Sequence, residues 1–281
     1  MNATRREWIG AAVAMTGLTQ SSAQQRSGVT RYVRFQRGST TGYGVLDGET
    51  IRAIQGELFG SHKETGATHK VSEVKLLFPV MPPKVLAVGL NYRSHIGSQK
   101  PPSNPEIFYK PISCLQHPGD PIVIPADSKN THYEGELVIV IGKPASHVSP
   151  AEAKNVIFGV TCGNDVSERD WQKGDLQWWR AKGSDTFGPC GPYIAQGVDY
   201  GNLQLRTRVN GKVVQQQSTS DLLFDCPTIV SFISRSVTLA PGDLIYTGTP
   251  GSTSKLSPGD TVEVDIEGIG VLRNPVTSAK S

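Results

Sequence analysis

The run Thr131-His132-Tyr133-Glu134-Gly135-Glu136 leads directly into Leu137-Val138-Ile139-Val140-Ile141-Gly142. From Leu137 onward it is apolar, rich in β-branched residues and closed by glycine, the pattern of a strand buried on both faces. Side chains alternate along a strand, so Glu134 and Glu136 project side by side from one face. An isolated Glu-x-Glu is most often a solvated strand end. Here the apolar run directly behind the pair places two like charges at the head of a buried strand. Such a pair needs a cation, a shared proton or water. Oxygen ligands without cysteine or histidine favour a hard cation.

A third acid follows the next apolar run. Val156-Ile157-Phe158-Gly159-Val160-Thr161-Cys162-Gly163 reads as another buried strand and ends in Asn164-Asp165. Asp165 either starts a turn or caps a helix expected to begin at Ser167-Glu168-Arg169-Asp170, or it completes a three-carboxylate site.

These motifs resemble the fumarylacetoacetate hydrolase family. The family's aromatic-Glu-x-Glu-Leu stands here as Tyr133-Glu134-Gly135-Glu136-Leu137, and its Asn-Asp-Val-Ser-x-Arg-Asp-x-Gln as residues 164–172. Lys182 before Ser184-Asp185-Thr186-Phe187-Gly188-Pro189 follows in order, then Gly191-Pro192-Tyr193, Val209-Asn210-Gly211, Pro241-Gly242-Asp243 and Thr247-Gly248-Thr249-Pro250. Each motif alone is weak; their shared order over residues 83–276 is specific.

The resemblance implies a mainly β fold with some α, a mixed β-roll of curled sheets with a few external helices. It implies that Glu134, Glu136 and Asp165 hold Mg²⁺ or Mn²⁺, with Ca²⁺ as a further hard cation. Lys182 would stabilise developing negative charge, and Gln172 and Thr249 would contact substrate or water. The implied substrate is a small 2-oxo or β-diketo acid, and the implied assembly is a homodimer. The leading expectation is hydrolysis of a carbon–carbon bond in an acylpyruvate-like acid, of the fumarylacetoacetate or fumarylpyruvate type, with His95 as general base. The alternative uses the same site without water attack, for isomerisation or tautomerisation of a 2-oxo diacid or decarboxylation of oxaloacetate. A non-catalytic exported metal-binding protein is the remaining reading.

One departure bears on that choice. Relatives carry a glutamate three residues after the histidine that matches His95, one helical turn away, where it orients and charges the imidazole. This chain has Ser98 there. Serine cannot raise the basicity of His95, and the loss harms water activation most. Glu106 is a candidate substitute that no sequence pattern places beside His95.

The amino-terminal residues suggest export. Thr4-Arg5-Arg6-Glu7-Trp8-Ile9 is a twin-arginine pattern, residues 10–18 are short and mildly apolar, and Ser21-Ser22-Ala23 resembles a cleavage site. A signal over residues 1–25, a mature chain from near Gln24 and a periplasmic location are expected, or a cytoplasmic one if the signal does not act. The full chain carries a net charge of +3. Without Arg5, Arg6 and Glu7 it holds 26 basic against 24 acidic side chains. That near-balance, with no basic run, argues against a nucleic-acid partner. After the signal, no stretch is long and apolar enough to span a membrane. Cys114, Cys162, Cys190 and Cys226 lack metal-type spacing and are read as free apolar fillers.

The rest of the chain divides at Pro79, Pro82 and Pro83. Residues 26–80 read as a small β-rich domain with an Asp47-Gly48 hairpin turn, and residues 81–281 as the catalytic domain. Residues 84–89, 106–110 and 121–124 read as strands, and the polar, Pro-rich segment 91–105 as a mobile lid. Ser149-Pro150-Ala151-Glu152 reads as a capped helix start and residues 226–235 as an amphipathic helix. Asn210-Gly211 reads as a hairpin, and three Pro-Gly-Asp turns punctuate short strands.

Overall fold

The computed structural model describes residues 28–279. The export signal expected over residues 1–25 lies outside them. The chain is mostly β, as expected, and among the described residues no helix is long and apolar enough to cross a membrane.

Most strands join one large sheet, in the order His62–Lys70, Thr50–Gly56, Thr40–Asp47, Thr30–Arg37, Gly188–Gln196, Ile157–Asn164, Gly135–Ile141, Leu244–Tyr246, Val85–Gly89 and Glu106–Lys110. The amino-terminal hairpins continue this sheet, because Thr30 pairs with Gln196 and Tyr32 with Ile194. A second sheet runs Lys212–Ser218, Gln204–Val209, Thr261–Ile266, Gly270–Ser278 and Ile122–Ile124. It packs across the first.

The central strand Gly135–Ile141 is buried along its whole length. Leu137, Ile139 and Ile141 face the second sheet and the helix Cys226–Ser234, packing with Leu205, Ile229 and Val264. Val138 and Val140 face the other way, toward Tyr246, Phe108 and Leu115. Burial on both faces explains the unbroken apolar run. The alternation assigns Glu134 and Glu136 to the Val138 face and Gly135 to the opposite one. There a Cβ on Gly135 would lie 2.0 Å from Thr207 Oγ1, so only glycine fits between the sheets at this point.

Turn chemistry follows the sequence. Asn210 and Gly211 both take positive φ, 53° and 78°, as a tight hairpin requires. The Pro-Gly-Asp glycines Gly119, Gly242 and Gly259 lie at φ 82°, 90° and 96°, in accord with type II turns. Ser149 and Glu152 form a reciprocal capping box at Pro150–Ala153. All four cysteines are free and buried. Burial pushes their thiols up, to about 11 at Cys114 and about 12 at Cys190 and Cys226, so they stay protonated.

The helix expected from Ser167 begins two residues later. Ser167–Glu168 instead pairs as a short strand with Thr131–His132. Glu168 then caps the helix Arg169–Gln172 by accepting from Trp171 N. The extended pair is favoured because it continues the two strands that carry the acids, locking Thr131 to Glu168 and His132 to Ser167.

Candidate active site

The strands Gly135–Ile141 and Ile157–Asn164 pair antiparallel with Gly135 opposite Asn164. This register brings Glu134 and Glu136, at the start of one strand, beside Asp165, at the end of the other. Asn164 reinforces the junction, accepting from Glu134 N at 2.9 Å through Oδ1, while Asp165 N donates to the Glu134 carbonyl at 2.9 Å. The three carboxylates offer oxygens within 4.8 Å of one another, and all three residues are buried.

Three basic side chains answer two of these acids. Lys182 donates to Glu134 Oε2 at 2.7 Å, Asp165 Oδ2 at 2.6 Å and Ser167 Oγ at 2.7 Å, using all three ammonium hydrogens. Lys110, equally buried, donates to Asp165 Oδ1 at 2.6 Å and to the carbonyls of Lys182 and Phe187. Arg169 reaches Glu134 Oε1 at 2.5 Å, Thr253 Oγ1 at 2.8 Å and Gln172 Oε1 at 2.9 Å. Burial alone would raise the Glu134 carboxyl, but the charges of Arg169 and Lys182 hold it well below the usual carboxylate range. Burial would lower the Lys182 ammonium, yet the charges of Asp165 and Glu134 outweigh it and raise the group.

Glu136 differs from its neighbours. Its Oε2 accepts from Gly248 N at 2.7 Å, and among the described residues no basic side chain pairs with it. Burial, then the charges of Asp165 and Glu134, push its carboxyl well above the ordinary range. A buried acid without a counter-ion, beside two further carboxylates, is the arrangement a hard divalent cation relieves. The donor set therefore fits Mg²⁺ or Mn²⁺ held by Glu134, Glu136 and Asp165.

The other expected residues converge on the same cavity of about 70 Å³. His95, Gln172, Lys182 and Thr249 all line it with the three acids. Thr249 Oγ1 donates to the Gly135 carbonyl at 2.9 Å and accepts from Gln215 Nε2 at 2.9 Å. Gln215 also accepts from Gly135 N at 3.2 Å, so one buried amide ties the acidic strand to the Thr249 loop.

His95 lies in the short helix Arg93–Ile96 at the start of the expected lid. Its Nδ1 meets the Gly251 carbonyl at 2.7 Å. A carbonyl only accepts, so Nδ1 carries the proton. In the neutral ring Nε2 then presents its lone pair toward the cavity, 3.8 Å from Glu134 Oε1. Ser94 holds the same loop, accepting from Gly251 N at 2.9 Å and donating to Gln217 Oε1 at 2.6 Å. Glu106 does not replace the missing acid; it is exposed on the edge strand and faces a separate groove.

Sequence reasoning missed Lys110, Arg169, Gln215 and Trp178. Lys110 had a signal: it shares a strand face with the apolar Phe108, where a lysine must find partners. Trp178 gave none. It lines the cavity through an unusual backbone, with φ 56° at Trp178 and 57° at Gln177, and Leu90 on the same cavity has φ 58°. Left-handed backbone costs such residues about 1–2 kcal/mol each, and strain of this kind gathers at functional sites.

The chain is similar to known proteins over most of its length. The family model for the fumarylacetoacetate hydrolase C-terminal region matches residues 84–277, and an Rv2993c-like N-terminal model matches residues 30–79. Protein Rv2993c of Mycobacterium tuberculosis is 46% identical over 243 residues, 82% of this chain and 92% of that protein. The crystal structure of 2-hydroxyhepta-2,4-diene-1,7-dioate isomerase from Mycobacterium marinum superposes with a TM-score of 0.84 at 44% identity, covering 90% of this chain and all of that one. Rat mitochondrial oxaloacetate tautomerase Fahd2a is 39% identical over 219 residues, 73% of this chain and 70% of that protein.

Proposed function

The chain belongs to the fumarylacetoacetate hydrolase family, and on that premise we propose that it is a metal-dependent isomerase or tautomerase of a 2-oxo dicarboxylic acid. The leading expectation from sequence was hydrolysis. The relatives named as an isomerase and an oxaloacetate tautomerase favour the alternative reading over it.

The observation that carries this choice is the partner of His95. Its Nδ1 is oriented by the neutral Gly251 carbonyl, with Ser98 where a glutamate would add negative charge. A carboxylate partner would stabilise the imidazolium and strengthen the base for activating water. A carbonyl fixes the tautomer without that gain. Moving a proton between a carbon already acidified by its carbonyl and an enol asks less of the base.

When bound by Glu134, Glu136 and Asp165, the divalent ion supplies Lewis-acid polarisation of the 2-oxo group. The chain's own residues supply the rest. His95 Nε2 takes the proton from the carbon next to the carbonyl and delivers it to the carbonyl oxygen, which completes the enol; ketonisation is the same transfer in reverse. The Lys182 ammonium places positive charge at the cavity wall, where the substrate oxygen becomes negative. Gln172 and Thr249 hold the carboxylate and hydroxyl groups of the substrate, and Arg169 keeps Gln172 in place. Val88, Leu90 and Trp178 shield the cavity from bulk water.

A proton NMR time course in D₂O tests this reading. The Mg²⁺- or Mn²⁺-loaded protein is incubated separately with oxaloacetate and acetylpyruvate. Enzyme-dependent deuterium entry at C3 with the carbon skeleton intact is expected. Acetate and pyruvate rising together from acetylpyruvate would replace this reading with the hydrolase.

A further inference from the structure

Trp178 separates two spaces of different size. Its indole lines the acidic cavity of about 70 Å³ and also a groove of about 1330 Å³ along the edge strand Glu106–Lys110. Among the described residues it is the one that both share. The ring is held edge-on to Phe108, with centroids 5.2 Å apart and planes at 76°. A Cβ on Gly89 would lie 3.3 Å from the ring, so the bare glycine backbone lets the indole close against the strand. Three fixed surfaces, Phe108, Gly89 and the left-handed turn at Gln177-Trp178, thus hold the indole as a partition.

We propose that Trp178 is a specificity-determining residue that restricts the cavity to short 2-oxo diacids of about four carbons. This inference rests on the isomerase or tautomerase reading and names the substrate class within it. The 2-oxo acid end would be held by the divalent ion on Glu134, Glu136 and Asp165, with Gln172, Lys182 and Thr249 beside it. A longer chain from that end must leave the cavity, and the space the indole fills is the way into the groove. Removing the indole joins the two volumes. The groove offers a longer tail both apolar and polar lining, including Ile107, Tyr109, Ser113 and Ser184.

The test is equilibrium binding by titration calorimetry, with the full chain loaded with Mg²⁺ and three probes: oxalate, oxaloacetate and 2-oxoheptanedioate. Wild-type protein is expected to bind 2-oxoheptanedioate at least about tenfold more weakly than oxaloacetate, within the range that one or a few methylenes produce in a shaped pocket. Trp178→Ala is expected to narrow that ratio by about tenfold or more, with oxalate affinity changing by less than that of 2-oxoheptanedioate. Trp178→Phe, which keeps an aromatic ring against Phe108, should give an intermediate ratio and guards against a folding defect in the alanine variant. Equal wild-type affinity for the long and short acids, or a ratio unmoved in both variants, would overturn the proposal. Because the readout is binding, it remains valid if no proton exchange occurs, so failure of the tautomerase reading is seen separately.

Discussion

His95 Nδ1 donates to the Gly251 carbonyl oxygen at 2.7 Å, which leaves Nε2 as the basic nitrogen on the cavity side. Gly251 is held in turn by the Ser94 hydroxyl. Replacing His95 by Gln is expected to lower kcat for proton exchange by about 10²–10⁴-fold, the usual worth of a general base. Ser94→Ala should cost less, about 10-fold, by loosening the Gly251 loop as a geometric defect remote from the chemistry does. Deuterium exchange rates for both variants decide it. A Ser94→Ala loss equal to that of His95→Gln would mean that Ser94 itself takes part in proton transfer.

Glu136 is buried at a cost to stability that a bound divalent ion would offset. Its carboxyl is buried without a basic partner, and its neighbours are also acids. Glu136→Gln should therefore melt higher than wild type when both are metal-free, by about 2–4 °C per kcal/mol relieved. The same variant should lose the rise in melting temperature that Mg²⁺ or Mn²⁺ gives wild type. Thermal melts with and without chelator measure both effects.

The pH dependence has a defined sign. The folded-state carboxyl of Glu136 is raised, so folded protein holds its proton more tightly than the unfolded chain does. Its stabilising contribution is complete below the ordinary glutamate value of about 4.3 and is lost as pH rises through the raised one. Glu134 is lowered, so its contribution is present above the ordinary value and is lost as pH falls toward the depressed one. Metal-free protein should thus lose the Glu136 contribution on the alkaline side, and a divalent ion should remove that loss. Urea titrations from pH 5 to 9, with and without Mg²⁺, check this; identical slopes would contradict it.

Lys110 and Lys182 should behave differently on removal. Both are buried and donate to Asp165, so Lys110→Met and Lys182→Met each leave a buried carboxylate short of a cation, at about 3–5 kcal/mol. Only Lys182 lines the cavity. Lys182→Met should also lower kcat by about 10²–10³-fold, whereas Lys110→Met should act mainly on stability. Denaturant midpoints together with exchange rates separate the two.

Gly135→Ala should destabilise by roughly 1–3 kcal/mol or more, the usual cost of overpacking. Its added methyl carbon would meet Thr207 Oγ1 at 2.0 Å between the sheets. The double variant Gly135→Ala, Thr207→Ala should recover much of that loss, measured by chemical denaturation.

Much of the site was legible because it sits on a strand of strong period. The apolar run after Glu136 fixed which side chains share a face, and Asn164-Asp165 closed the neighbouring strand. The short Thr131–His132 pairing with Ser167–Glu168 was not legible, since two-residue strands have no period. Nor was the joining of Thr30–Arg37 to Gly188–Gln196, a contact between residues some 160 positions apart that no local pattern encodes. Lys110 and Gln215 were visible only as polar residues on buried strand faces. Trp178 depends on two successive left-handed residues, neither of them glycine, that turn signals do not announce.

The most direct test of the tautomerase reading is the ketonisation rate of enol-oxaloacetate. The enol is prepared in dry solvent, diluted into Mg²⁺-loaded protein and followed by the decay of its ultraviolet absorbance. The expected result is decay many-fold faster than in buffer with Mg²⁺ alone, slowed by chelator and by His95→Gln, with the four-carbon skeleton intact by NMR. Decay no faster than the buffer control, or pyruvate appearing as fast as the enol disappears, would contradict it.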